Sequence, residues 1–262
     1  MKLIYLSNLF SISCGSEYLF WIYAKYMALR GHEVLVICYK AEEEAIAKVK
    51  NLIENGSLEI HELYPNVVHR GTLFTDITST MKYLKSGFSL LRDRVNCYES
   101  ILHSNYYIPI LLGGIVSKLL NIPHVATIHD VASAEGLGFI YKWFRETHNG
   151  IAAGVKALTA SLYERLIINL PYEGIIVPSS RTFEDLKKLN VINRKIFIIA
   201  NTIDPSLYDE KYVNNVSYEP IALYIGRLVW YKNLETLLLA FKQVVKENRE
   251  AKLIIIGDGP SR

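Results

Sequence analysis

Apolar residues recur along this chain in two alternating rhythms. Short, almost unbroken apolar runs predict strands buried on both faces over Lys2 to Ser7, Glu33 to Tyr39, Leu58 to Leu63, Tyr98 to His103, His124 to His129, Gly174 to Pro178 and Lys195 to Asn201. Between them, apolar positions at helical spacing predict helices over Glu17 to Arg30, Glu42 to Glu54, about Thr75 to Val95, Tyr107 to Leu120 and Phe183 to Leu189, with two or more helices inside residues 137–170. Gly31 stands where a glycine ends a helix. Strict strand–helix alternation means an α/β fold, a parallel sheet with helices on both faces.

The rhythm lapses over Asp204 to Glu219, which ends in Pro220, and then restarts with strand Ile221 to Ile225, helix Leu234 to Glu247 and strand Ala251 to Ile256. The expected organisation is a first domain over 1–204, a linker over 205–220 and the start of a second domain over 221–262. A lone βαβ unit cannot cover both faces of its own sheet, and a complete doubly wound domain takes roughly 100 to 150 residues. The second domain is therefore expected to be cut off at Arg262.

Composition narrows the classes. Half of the 262 residues are hydrophobic and the net charge is only +3, which excludes a disordered chain. No Lys/Arg run occurs, so a nucleic-acid partner is not expected. Cys14, Cys38 and Cys97 form neither a C-x-x-C nor a metal-ligand spacing, which points to a reducing cytoplasm. The apolar start is broken by Asn8 with no small-x-small site after it, against a signal peptide. The longest apolar run, Ile108 to Ser117, is too short to span a bilayer.

The strongest chemical signal is Tyr224-Ile-Gly-Arg-Leu-Val-Trp-Tyr-Lys-Asn233. A buried strand ends at Gly226, then Arg227 and Lys232 occupy the loop before a helix for which Asn233 is a fair N-cap. Two cations beside the free N–H groups and partial positive charge of a helix start suit a diphosphate. Two solvated loop cations are the plain alternative. The next strand ends in Gly257-Asp-Gly-Pro260, where Gly257, Asp258 and Gly259 would let a ligand approach the backbone. The third glycine of G-x-G-x-x-G is absent, and the first loop, Asn8 to Gly15, lacks that fingerprint too, which disfavours a nicotinamide enzyme. There is no P-loop and no G-x-S-x-G.

Taken together these segments resemble the retaining GT-B glycosyltransferases of glycosyltransferase family 4, the "group 1" glycosyl transferases. Gly226-Arg-Leu-x-x-x-Lys-Asn and Lys252-Leu-Ile-Ile-Ile-Gly-Asp-Gly-Pro260 resemble the second domain of that family. Cys14-Gly-Ser-Glu17, Leu29-Arg-Gly-His-Glu-Val34, Ile122-Pro-His-Val-Ala-Thr-Ile-His-Asp130, Val177-Pro-Ser-Ser180 and Ile198-Ile-Ala-Asn-Thr-Ile-Asp204 are similar to segments of its first, in family order. Cys14 replaces the usual first loop glycine, Thr202 replaces the glycine of N-G-V-D, and the family's E-x7-E segment would lie beyond Arg262.

The resemblance implies a GT-B-like fold: a near-complete Rossmann-like acceptor-side domain, then the first βαβ unit of a nucleotide-sugar-binding domain. It implies transfer of a sugar from a nucleotide-diphosphate-sugar, as co-substrate, to a glycan, lipid-linked or small-molecule acceptor, with retention of configuration. His129 would lie beside the transferred sugar, Gly15 would admit the donor phosphates or the acceptor, and Arg227 and Lys232 would stabilise the leaving diphosphate. With those cations in place and no D-x-D in the chain, neither a metal nor a further cofactor is expected. Asn201 and Asp204 would fix the interdomain linker. A rival reading is a catalytically silent fragment, an acceptor- or partner-binding module. The helix through Met81 to Val95, with Lys82, Lys85, Arg92 and Arg94 among apolar residues, is either an ordinary helix packed on the sheet or a peripheral contact with the cytoplasmic face of a membrane.

Overall fold

The computed structural model describes residues 1–13, 15–63, 73–95, 99–105, 107–191, 195–207 and 219–262, with side chains from Thr80 onward in the third stretch. Cys14, Cys97, Tyr98 and most of the expected linker lie outside the described residues. The chain forms two compact units, Met1–Asp204 and Pro205–Arg262.

The first unit runs β1 (Lys2–Leu6), β2 (Leu9–Phe10), α1 (Gly15–Leu29), β3 (Glu33–Cys38), β4 (Lys40–Ala41), α2 (Glu43–Ala47), α3 (Lys50–Glu54), β5 (Leu58–Glu62), α4 (Leu73–Arg94), β6 (Ser100–Asn105), α5 (Tyr107–Leu120), β7 (His124–Thr127), α6 (Leu137–Arg145), α7 (Gly150–Ile168), β8 (Gly174–Val177), α8 (Ser180–Lys188) and β9 (Ile196–Ile198). Seven strands make one sheet in the order β5-β3-β1-β6-β7-β8-β9, every pair parallel. The chain first winds outward from β1 through β3 to β5. It then returns by α4 to the other side of β1 and winds the opposite way. The direction therefore reverses between β1 and β6, the place where open α/β sheets receive ligands.

Sequence dictates this layering. Leu3 to Leu6 and Val34 to Cys38 are buried without a gap, as strands covered on both faces must be. Ile4, Leu6, Leu35, Ile37 and Leu102 from the strands share one core cluster with Tyr83 and Leu91 of α4 and Leu112 and Val116 of α5. Leu84, Phe88 and Leu90 pack against that cluster. The apolar side of α4 is thus spent on the core, and its cations face out: Arg92 pairs with Asp93 and Arg94 with Glu59.

Two local features differ from the sequence reading. Residues 42–54 form two short helices, because Val49 leaves helical dihedrals (φ −123°, ψ 14°) with its side chain buried. A short parallel pair, β2 with β4, extends the ends of β1 and β3. It went unread because two-residue strands leave no periodicity to detect.

The first unit closes on a buried clamp. The Asp204 carboxylate, with no solvent exposure, accepts from Lys25 Nζ at 2.5 Å and Tyr26 OH at 2.9 Å. Its backbone N–H donates to Tyr18 Oη at 2.7 Å. All three partners lie on α1. The second unit holds β10 (Ile221–Ile225), α9 (Leu234–Glu247) and β11 (Lys252–Ile256), a parallel βαβ. Ile221, Leu223, Ile225, Ile254, Ile255 and Ile256 on its two strands remain exposed.

Two helical glycines make a controlled pair. A Cβ at Gly113 in α5 would overlap the buried His124 ring, whereas one at Gly154 in α7 would meet open space. Gly113→Ala should destabilise the first unit by about 1–3 kcal/mol despite its better helix propensity. Gly154→Ala should stabilise it by up to about 1 kcal/mol. Urea unfolding of both variants measures the opposite signs.

Candidate functional site

A cavity of about 110 Å³ opens at the carboxyl ends of β6 and β7. Its walls are Ser16 from the start of α1, Asn105 from the end of β6, Tyr107 and Ile110 from α5, Thr127 to Asp130 from β7 and its exit, and Ile167 and Ile168 from α7. It lies beside the reversal between β1 and β6, bordered by Ser16 from the connection after β1 and by Asn105 of β6. The loop between β1 and α1 is held there by the β2–β4 pair and by Glu42, whose carboxylate accepts from Ser11 Oγ at 2.6 Å and Ser13 Oγ at 3.1 Å.

Two polar atoms of the walls are buried with no partner among the described residues: Asn105 Oδ1 and His129 Nε2. Asn105 is fully buried, and its amide nitrogen donates to Ser16 O at 3.1 Å, which orients its oxygen. Leaving such groups unpaired is costly, so they mark a place where a polar ligand or water belongs. Burial lowers His129 to about 4, so near neutral pH its ring is an uncharged hydrogen-bonding group. Asp130 is accessible at the mouth, yet the crowded concavity and, second, the charge of Glu164 raise its carboxyl above the usual range.

Glu164, buried in α7, holds the segment that follows. Its carboxylate accepts from Tyr107 OH at 2.6 Å, from the Ala132 N–H at 3.0 Å and from the Ser133 N–H at 2.6 Å. It thereby pins the turn Ala132–Glu135 immediately after His129 and Asp130, while Thr182 Oγ1 donates to the His129 carbonyl at 3.2 Å. Sequence reasoning missed both Glu164 and Asn105. A glutamate among apolar residues in a helix was the available signal for the first, and the polar end of an apolar strand for the second.

Beneath the cavity lie two more histidines. His103 Nε2 is 2.7 Å from Thr127 Oγ1, and His124 Nε2 is 2.5 Å from Ser104 Oγ. Desolvation, with a neighbouring histidine second in each case, lowers both to about 3.

The second unit arranges the other sequence-predicted residues by itself. Arg227 and Lys232 are both exposed on the loop after β10, with Lys232 in the turn Trp230–Lys232 that leads into α9. Asn233 does occupy the N-cap position, but in left-handed backbone (φ 54°), and its side chain caps no N–H. It accepts instead from Thr236 Oγ1 at 2.9 Å. Gly226, Gly257 and Gly259 sit where two loops knit together: the Leu228 N–H donates to Asp258 O at 2.8 Å and the Ser261 N–H to Leu228 O at 2.9 Å. A Cβ at Gly257 would overlap the Gly226 carbonyl, and one at Gly259 that of Leu228. Backbone crowding alone therefore requires these two glycines. Asp258 Oδ1 accepts from the Gly259 N–H at 2.8 Å. Gly15 opens α1 with open space where a Cβ would go, so packing does not demand glycine there.

With this geometry in hand, the sequence profile of Glycosyltransferase Family 4 matches residues 14–207. The chain belongs to Glycosyltransferase Family 4. The profile of Glycosyl transferases group 1 matches residues 209–262 of the same family 4 chain. No curated protein gives a significant sequence match. Among solved structures, Anabaena Alr3699/HepE in complex with UDP aligns with TM-score 0.61 and 15% identity, over 99% of this chain and 61% of that one. Sucrose-phosphate synthase from Thermosynechococcus elongatus aligns with TM-score 0.66 and 15% identity, over 97% and 62%. TarM aligns with TM-score 0.63 and 12% identity, over 98% and 72%. The fold is therefore GT-B-like, and the family 4 chain spans about three fifths of the length of the first two structures.

Two measurements follow from the buried groups. In the family 4 chain His103, His124 and His129 protonate at about 3 to 4, against 6.5 for the unperturbed group. The unfolded chain thus binds more protons below about pH 6.5. Stability is complete above that pH and falls as pH drops toward the folded values, by up to about 1.4 kcal/mol per pH unit for each fully buried imidazole. Urea midpoints taken from about pH 8 down to 5 should show the decline. Separately, Glu164→Ala strands two backbone N–H groups and should cost about 2–4 kcal/mol; Glu164→Gln, which keeps an acceptor oxygen, should cost less.

Proposed function

We propose that the chain carries the acceptor-side domain and the diphosphate grip of a nucleotide-sugar-dependent glycosyltransferase that retains anomeric configuration. The observation that carries this reading is the cavity beside the sheet's reversal point, with His129 and Asn105 in its wall and His129 Nε2 and Asn105 Oδ1 buried without a partner among the described residues, in a chain of this family. Similar structures of Anabaena Alr3699/HepE hold UDP, UDP with glucose, or UDP-glucose, which supports a nucleotide-sugar donor.

In this reading the cavity of the first unit receives the sugar and the acceptor hydroxyl. Neutral His129 and Asn105 hydrogen-bond sugar hydroxyls, and their uncharged state suits recognition better than proton removal. Arg227 and Lys232 bind the diphosphate of the donor. As the bond from the anomeric carbon to the leaving oxygen breaks, negative charge grows on that diphosphate, and the two cations stabilise it. The acceptor oxygen bonds to the anomeric carbon on the face the diphosphate leaves, and its proton passes to the departing phosphate oxygen. The cations take the part a metal plays elsewhere, so chelators should leave the rate unchanged.

A second reading, a catalytically silent acceptor- or partner-binding module, is favoured by one observation: the strands of the second unit leave Ile221, Leu223, Ile225, Ile254, Ile255 and Ile256 exposed. Donor hydrolysis and transfer by the 262-residue chain separate the two, since turnover excludes the silent module. Arg227→Ala and Lys232→Ala each remove one charge-assisted contact and should lower turnover by roughly 100- to 1000-fold. Nucleoside diphosphate binding, measured by calorimetry, should weaken by roughly 10- to 100-fold even where turnover is absent. Both residues are exposed, so melting temperature should hold. Unchanged binding and rate in both variants would remove the diphosphate assignment. Lys82→Ala on α4 is the control.

A further inference from the structure

Helix α7 is apolar on both sides. Its inner side is mainly small or buried, through Ala153, Ala157, Ser161 and Ile167. Its outer side carries Ile151, Val155, Leu158, Leu162 and Leu166 at spacings of four, three, four and four, which sets them in one ridge. They are between 51% and 86% exposed. A surface helix ordinarily turns its apolar stripe inward, as α4 does, so a ridge of this length facing out marks a contact surface.

Neighbouring helices extend the ridge at both ends. Tyr141 OH and Arg145 of α6 stand beside Gly150, next to Ile151. Leu170 stands over Gly114 of α5, which brings exposed Ile115 and Leu119 toward the other end. Trp143 of α6 is exposed as well. The same three helices carry Lys118, Lys142, Arg145 and Arg165, all exposed, and half-buried Lys156. Glu164, buried, is the one carboxylate within the three helices, and Glu146 follows α6.

We propose that this α5–α6–α7 face docks on an anionic bilayer surface. Leu, Ile, Trp and Tyr would enter the interface while the rim of Lys and Arg meets lipid phosphates. Charge selects this occupant: pairing two copies across the same face would set cations against cations. No helix among the described residues is long and apolar enough to cross a membrane, so the contact is one of lying on the surface. The face of α4 is not the site, because its apolar side is already in the core. The inference rests on exposed side chains rather than on sugar transfer, so vesicle binding and donor turnover can fail independently.

The test is co-sedimentation of the 262-residue chain with phosphatidylcholine vesicles containing about 30% phosphatidylglycerol, and with phosphatidylcholine alone. Binding should be strong to the first, weak to the second and reduced by salt. The triple variant Lys142→Glu, Arg145→Glu, Arg165→Glu should bind roughly 100-fold more weakly. Leu158→Asp with Leu162→Asp should bind roughly tenfold or more weakly. Should either variant fail to fold, the wild-type chain still reports: Trp143 emission should shift to the blue on anionic vesicles, and Trp143→Phe should lose that shift. No binding to anionic vesicles, equal binding to both kinds, or a dimer in solution that leaves vesicles unbound would each overturn the proposal.

Discussion

A parallel sheet needs a crossover between every pair of neighbouring strands, and those crossovers consume both of its faces. In the first unit this constraint governs nearly everything else. Strands β1 and β3 can be almost wholly apolar because helices cover them. Only their ends are left to meet a ligand. The carboxyl ends of β6 and β7 carry the polar residues that β1 and β3 exclude, Asn105, Thr127, His129 and Asp130. The site is the place where the requirement for apolar strands lapses.

The polar groups admitted there are bound by a second constraint, the cost of burying them unpaired. Several meet it locally: His103 Nε2 with Thr127, His124 Nε2 with Ser104, though His124 Nδ1 stays unpaired, and Glu164 with a tyrosine and two backbone N–H groups. Asn105 Oδ1 and His129 Nε2 do not. The same low-polarity surroundings keep these imidazoles neutral, and Asn105 and His129 are the residues of the cavity wall that carry such unpaired atoms among the described residues. A rigid frame and a few unsatisfied groups within it is what a pre-organised binding site requires.

Much of the architecture was legible because burial on both faces writes itself into sequence as unbroken apolar runs. The spans of α5, β10 and α9 agree with the hydrophobic pattern residue for residue. What the pattern could not convey depends on long-range contact. The break at Val49 follows from where its side chain is buried, and the roles of Asn105 and Glu164 come from residues tens of positions away. The glycines after β11 carry a packing reason that spacing alone does not convey. At Gly257 and Gly259 a neighbouring carbonyl leaves no room for a side chain, whether or not a ligand approaches there. The placement of Arg227 and Lys232 on an exposed loop agrees with either solvated or ligand-binding cations, and only chemistry distinguishes them.

The clamp at Asp204 has a mechanical meaning. The last residue of the first unit is tied by three bonds to α1, the helix whose first turn borders the cavity. The first unit therefore ends at a fixed point on that helix and not in a frayed end. Loosening the clamp would loosen α1, and with it the Ser16 carbonyl that orients Asn105 in the cavity wall, without altering a single residue of the site.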